Sequence, residues 1–293
     1  MDRFHQLAVY VAVAEEESFA AGARRLGMSA PAVTRAVAAL EQSLGVSLLT
    51  RTTRYVRPTD AGLRYLDDAR QILSRLQEAD ESVAGINAAP RGHLTVTAPV
   101  LFGKIFVMPH VVEYLQRYED VEISALFLDR VVNMMEEGVD VGVRIGALPD
   151  SSMRAVRVGQ VRRLLCASPA YLRAHGIPQT PQDLQQHQIV AATGVTPTVE
   201  WKFGDGDQAT TVRIKPRMTV TTNDGAIEAV RHGAGITRLM SYQVAHALQS
   251  GELQTVLSEY ESAPLPIHIV HRQGRTGSAK IRSFVDFMAE ALR

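Results

Sequence analysis

At 293 residues, 46% of them hydrophobic, the chain is too long for one small core, and its composition predicts two or three globular domains. Its apolar runs, such as residues 7–14, fall far short of the ~18 residues that cross a bilayer, and no basic-then-apolar leader opens it; a cytoplasmic protein away from the membrane is expected. Thirty-one basic residues cancel 31 acidic ones, and the one cysteine, Cys166, excludes an internal disulfide and fits a buried free thiol.

The zero net charge conceals a local excess. Positions 18–59 hold six arginines (24, 25, 35, 51, 54, 57) against one acid, Glu41, a local balance of +5. Apolar side chains at 4, 7, 8, 11 and 14 predict an amphipathic helix that stops near the glutamates at 15–17. Ser18 can cap a second helix over 19–26, which Gly27 ends by adopting a backbone angle other residues resist. Ser29 can cap a third, with Pro31 in its first turn. That helix places Val33, Ala36, Val37, Leu40 and Leu44 on one face and turns Thr34, Arg35 and Ala38 away from it. Two short helices around a glycine turn, with small Ala23 at the crossing, form a helix-turn-helix; residues 46–57, ending in RTTRYVR, read as a two-stranded basic wing closed by Pro58.

Residues 60–88 predict one long helix. Its apolar positions 65, 69, 72, 76, 79, 83 and 86 step by four and three, the seam of a helix that packs on a partner helix; packing on its own domain is the alternative. AAPRG at 88–92 reads as a hinge. Beyond it strands and helices alternate, which predicts an α/β fold with a mostly parallel sheet. Strands are expected at 93–98, 121–127, 139–145, 163–167, 189–192, 217–221, 236–239 and 267–271, and helices at 101–118, 131–137, 169–175, 224–232, 242–249 and 279–292. The FGDGDQ stretch at 203–208 predicts a hairpin turn. The chain visits one lobe, then a second, and returns to the first near 267.

Enzyme motifs do not appear: there is no phosphate loop, no dinucleotide-binding glycine pattern after a strand and no Gly-x-Ser-x-Gly elbow. The nine histidines are scattered, and His268 and His271 point to opposite faces of a strand, which spoils them as metal co-ligands. No cofactor is expected. An architectural DNA binder would leave the α/β half without a purpose, and a secreted solute-binding protein would lack the N-terminal helices.

The stretch SFAAGARRLGMSAPAVTRAVAALEQSLGVSLLTRTTRYVRPTDAG, with LTVTAPVLFG, DVGVRIGALPDSS, LLCASPAYL and HGAGITRL further on, resembles the LysR-type transcriptional regulators over the full chain. The resemblance implies a winged helix-turn-helix at 1–59, a linker and dimerisation helix at 60–89, and a two-lobed, periplasmic-binding-protein-like effector domain at 90–293. Within it lobe I covers about 90–163 and 267–293, and lobe II about 164–266. It further implies promoter DNA and a small, often carboxylate, effector as partners, with homodimers assembled into a homotetramer and RNA polymerase as a further contact.

In that frame the third helix enters the major groove, and Ser29, Ala30, Pro31, Thr34 and Arg35 reach base edges. Where the family often carries glutamine this chain has Ala30, so an apolar contact is expected there. Arg51, Thr52 and Arg54 of the wing meet phosphates or a narrowed minor groove, and Arg24 and Arg25 are weaker phosphate candidates. Ligands of two-lobed α/β folds sit beyond the carboxyl ends of strands. That singles out Thr97, Ala98, Pro99 and Val100 before a helix whose free N–H groups suit an anion, with Arg144, Gly146, Thr193, Thr222 and Asn223 around the same crevice. Helix capping is the alternative role for Thr222 and Asn223, a structural salt bridge for Arg144, and ordinary core for Phe102.

Overall fold

The computed structural model describes residues 2–51, 55–84, 89–148, 153–192, 200–206, 209–272 and 278–293. The chain divides into two compact units, Met1–Ala88 and Ala89–Arg293.

The first unit opens with α1 (Arg3–Glu15), α2 (Phe19–Arg25) and α3 (Ala30–Leu44). Ser18 caps α2 by accepting the Ala21 N–H at 3.2 Å, and Gly27 takes a positive φ of 62° beyond it. Ser29 has the extended backbone of a cap residue but its side chain accepts no helix N–H, contrary to the capping role its sequence position predicts. Val33, Ala36, Val37 and Leu40 are fully buried against Val9, Tyr10 and Val13 of α1, while Ala23 fills the crossing. Strands β1 (Leu49–Arg51) and β2 (Val56–Pro58) form the antiparallel wing, Thr50 opposite Arg57.

The long helix α4 (Asp60–Ala84) starts beneath the wing. Its seam divides. Leu66 and Ala69 are buried in the core of the unit and Tyr65 and Leu73 are half-buried against it, whereas Ile72 and Leu76 are exposed. The stretch predicted helical at 85–88 lies outside the described residues, as do the side chain at 83 and position 86.

The second unit holds a five-stranded sheet in the order β4-β3-β5-β14-β6, from β3 (Gly92–Ala98), β4 (Val121–Phe127), β5 (Val141–Ile145), β6 (Met153–Val161) and β14 (Leu265–Arg272). Strands β3, β4 and β5 run parallel; β14 returns antiparallel between β5 and β6. The sheet is thus mixed rather than mostly parallel, because β14 enters it from the second lobe instead of through a helical crossover on its own face. Strand β6 escapes sequence reading because Arg154 and Arg157 break its apolar alternation, as befits an edge strand.

Between β3 and β4 runs one helical stretch: α5 (Val100–Phe102), a π-helical turn at Gly103–Val107, and α6 (Met108–Arg117). Two features accompany the widened turn. Pro109 offers no N–H to the preceding turn, and a side chain at position 103 would meet the Phe127 ring at 2.4 Å. Helix α10 (Ala279–Ala291) packs beside α6, with Tyr114 and Phe284 in edge contact at 5.1 Å. The helix predicted at 131–137 is absent; the chain turns there instead. Asn133 Oδ1 accepts the Met135 N–H at 3.1 Å, and Glu137 closes the loop by pairing with Arg130 at 2.7 and 2.5 Å.

The second lobe centres on β7 (Arg163–Ala167), flanked antiparallel by β12 (Thr237–Met240) and β13 (Gln254–Val256). Strands β8 (Ile189–Ala192) and β11 (Pro216–Val220) pair in parallel, and β9 (Glu200–Phe203) and β10 (Thr210–Arg213) form the hairpin expected around the Gly-Asp turn, where Gly204 and Gly206 both have positive φ. Helices α7 (Pro169–His175), α8 (Asn223–Arg231) and α9 (Ala245–Gln249) cover these strands. The helix predicted over 242–249 is split: Ser241–Gln243 is a 3-10 turn, and α9 begins only after Val244. Among the described residues no helix is long and apolar enough to cross a membrane.

Candidate nucleic-acid interface and ligand cleft

In the first unit Ser29, Ala30, Pro31, Thr34 and Arg35 are all exposed, and Pro31, Thr34 and Arg35 lie on the face of α3 opposite its buried stripe. The Thr34 hydroxyl donates to the Ala30 carbonyl at 2.9 Å. Thr52 and Arg54 lie outside the described residues.

The arginine cluster sorts into paired and unpaired members. Arg25 meets Glu15 at 2.7 Å, Arg57 approaches Glu17 at 4.0 Å, and Arg51 meets Glu41 at 3.4 Å while its guanidinium stacks 4.3 Å from the Phe19 ring. Among the described residues Arg24 and Arg35 have no acid partner. Glutamates 15 and 17, which only marked the end of a helix in the sequence, thus hold two of the six arginines.

Glu41 is the part that sequence reasoning undervalued. One carboxylate oxygen accepts the backbone N–H groups of Leu48 and Leu49 at 2.8 and 3.0 Å, and the other faces Arg51. It ties the last turn of α3 to the first strand of the wing. Gly62 seats the start of α4 under the same strand: a Cβ there would fall 2.0 Å from the Leu48 carbonyl oxygen, and the Gly62 carbonyl accepts the buried Tyr10 hydroxyl at 2.8 Å.

In the second unit a cleft of about 510 Å³ opens between the two lobes. Of the residues expected around it, Pro99, Arg144 and Asn223 line it. Thr97 and Ala98 are buried within the sheet, the Thr97 hydroxyl donating to Leu126 O at 2.7 Å. Gly146 donates its N–H to Pro266 O at 2.9 Å. Thr222 caps α8 through the Gly225 N–H at 3.3 Å. Phe102 is core, packed against Phe106 at 4.9 Å and edge-on to Tyr242 at 5.4 Å, so it backs a cleft residue without facing the cleft. Thr193 lies outside the described residues.

Arg144 donates to Val132 O at 2.6 Å, a backbone partner in place of the salt bridge considered for it, and burial lowers its pKa from the ordinary guanidinium range. The helix N-terminus after β3 is already served: Val100 N–H donates to Asp129 Oδ1 at 3.0 Å. The other Asp129 oxygen accepts the Asn223 amide from the second lobe at 3.1 Å.

Among the cleft residues that escaped the sequence reading are Arg163, Arg238, Trp201 and Tyr242. Arg238 was detectable as a charge inside the apolar run ITRLM, where a strand was expected; the others needed the sheet pairing. Burial raises the Tyr242 phenol above its ordinary range, with the nearby Asp129 charge adding to it. Cys166 is fully buried and its thiol is pushed up to about 12 by burial. Among the described residues no group of three or more histidine, cysteine or acidic side chains could hold a metal.

Residues 4–63 match the family described as "Bacterial regulatory helix-turn-helix protein, lysR family", and residues 87–293 match "LysR substrate binding domain". The regulator YhjC of Escherichia coli, named as an uncharacterized HTH-type transcriptional regulator, is 32% identical, with 100% of this chain and 99% of YhjC covered. The solved structure of CrgA, a LysR-type transcriptional regulator from Neisseria meningitidis, is 31% identical with a TM-score of 0.62 over 98% of both chains. That of the Vibrio cholerae virulence activator AphB is 26% identical with a TM-score of 0.64 over 100% of both. An exposed α3 face that carries Arg35 beside a wing, in a unit matched to the family's helix-turn-helix, followed by a cleft-bearing α/β unit matched to its substrate-binding domain, makes this chain a member of the LysR family of DNA-binding transcriptional regulators, which are not enzymes.

Proposed function

We propose that this regulator reads a specific promoter sequence through α3 and that a small carboxylate-like effector in the inter-lobe cleft modulates its binding. The observation that carries the DNA half is Arg35: an exposed guanidinium without an acid partner among the described residues, close to exposed Pro31 and Thr34 in the first turns of α3. In the major groove it is suited to a bidentate contact with guanine, worth about 1–3 kcal/mol of discrimination. Arg51, Thr52 and Arg54 complete the interface on the phosphates, Arg51 with the N–H groups that Glu41 leaves free.

The same reading assigns residues 1–59 to DNA binding, 60–89 to the linker and 90–293 to the effector domain, with lobe I about 90–163 and 267–293 and lobe II about 164–266. Exposed Ile72 and Leu76 support dimerisation along α4, and a tetramer built from such dimers, acting in the cytoplasm and touching RNA polymerase, completes the proposal. Mobility-shift titrations across salt concentrations test the DNA half. Arg35→Ala is expected to lose preference for the operator over random DNA; Arg54→Ala is expected to weaken binding to all sequences and lower the salt slope by about one. Full operator preference in Arg35→Ala would show that α3 is not the reading element.

A further inference from the structure

The cationic residues of the cleft are not equivalent. Arg144 has spent a donor on Val132, and Arg130 is closed into its pair with Glu137. Arg163 and Arg238 have no such partner: among the described residues neither guanidinium makes an ion pair or a hydrogen bond.

Their placement follows from sheet register. Arg163 of β7 stands opposite Met240 of β12, and Arg238 opposite Leu165, so the two arginines are diagonal neighbours on one face of the sheet. The Arg238 guanidinium lies 4.9 Å from the centre of the Trp201 ring, and Trp201 itself is buried. Arg163 is exposed and Arg238 half-buried, so two adjacent like charges line the cleft without a counter-charge. Partial burial draws Arg238 down to about 9, with the neighbouring Arg163 charge adding repulsion. Adjacent cations without a counter-charge repel each other until an anion with several acceptor oxygens sits between them and offsets that repulsion.

Two features narrow the ligand. The other anion-attracting element, the helix N-terminus at Val100, is filled by Asp129. The rest of the lining includes Val131, Ile145, Met240 and Tyr242, an apolar bed, while Asp129 and Glu200 add negative charge that disfavours a phosphate dianion.

We propose that Arg163 and Arg238 form the oxyanion subsite of the cleft, taking the carboxylate of a small organic acid whose apolar body lies toward lobe I, with Asp129 keeping the Val100 helix end closed to it. This rests on the reading of the cleft as the effector site. Trp201, the chain's single tryptophan, reports on the subsite directly. The full-length protein is titrated with benzoate, succinate and inorganic phosphate up to about 20 mM while Trp201 fluorescence is followed, with calorimetry in parallel.

A saturable response to benzoate or succinate is expected, at least about tenfold weaker in Arg163→Gln and Arg238→Gln and unchanged in Arg117→Gln on the far helix α6. Arg163→Gln does not touch Trp201, and Arg238→Lys keeps the charge; both preserve the test if Arg238→Gln folds poorly. No saturable response to either acid, a response that survives both glutamine substitutions, or binding of phosphate alone would overturn the proposal. Operator binding that responds to an acid in the double glutamine variant would sink this subsite and leave the effector reading standing. Saturable, arginine-dependent binding with no effect on operator affinity would do the reverse.

Discussion

Asp129 and Asn223 lie 94 positions apart and meet across the cleft, the Asn223 amide donating to the Asp129 carboxylate at 3.1 Å while the second oxygen of Asp129 holds Val100 N–H at 3.0 Å. One carboxylate thus joins the first helix of one lobe to the head of α8 in the other. Asp129→Ala removes two charge-assisted acceptor contacts, a loss of about 2 kcal/mol. For a unit of this size that corresponds to a fall in Tm of roughly 4–8 °C. Calorimetry of the variant checks it; an unchanged Tm would mean the bridge adds nothing to stability.

Glu41 should matter to the DNA-binding unit well beyond its single charge. Because one oxygen accepts both Leu48 and Leu49 N–H, Glu41→Ala strands two backbone donors at the root of the wing. The expected loss is about 2–3 kcal/mol. Glu41→Gln, which keeps an acceptor oxygen but not the charge, should fall between. Denaturant midpoints of the three proteins give the order, and equal midpoints for wild type and Glu41→Ala would refute it.

Gly62→Ala is a steric test of the same corner. Its new methyl would lie 2.0 Å from the Leu48 carbonyl oxygen, a backbone atom that cannot swing aside. Displacing the wing or the start of α4 should cost roughly 3 kcal/mol. The measurement is chemical denaturation followed by the mobility-shift assay, where weaker binding to every DNA sequence is expected.

High pH should unfold the protein through its buried acids. Burial pushes the Cys166 thiol, and the hydroxyls of Tyr10 and Tyr114, up to about 12 from 9.0 and 10.0. A raised folded-state pKa gives stability that is complete below the unfolded value and lost as pH climbs through the folded one. Stability should hold level to about pH 9 and decline between there and about 12. By the same logic Cys166 should resist iodoacetamide at pH 8 in the folded protein and react once unfolded, as mass spectrometry would register.

Much of the DNA-binding end was legible in the residues. Apolar spacing in α3, the glycine after α2 and the arginine-rich wing are local signals, and the helix faces they predict match the burial found. Local signals failed where a long-range partner decided the outcome. Residues 131–137 have helical spacing, yet the Arg130 and Glu137 pair with the Asn133 turn holds them as turns. The seam of α4 reads as uniform in sequence, but α1 lies against its first half and covers Leu66 and Ala69.

The cleft shows the division most sharply. From the sequence alone, strand ends and helix starts point to Thr97, Val100 and Thr222, because free N–H groups and hydroxyls there suit an anion. Tertiary structure spends each on the protein itself: Thr97 on Leu126, Val100 on Asp129, Thr222 on its own helix. It also brings Arg163 and Arg238 together, 75 positions apart, through the pairing of β7 with β12. Composition and periodicity determined which segments become helices, which face of α3 is buried and where the positive charge gathers, since these depend on neighbours within a few residues. Which polar groups remain unspent for a ligand was decided only by the fold, because a hydrogen bond or an ion pair belongs to whichever partner the packed chain brings near.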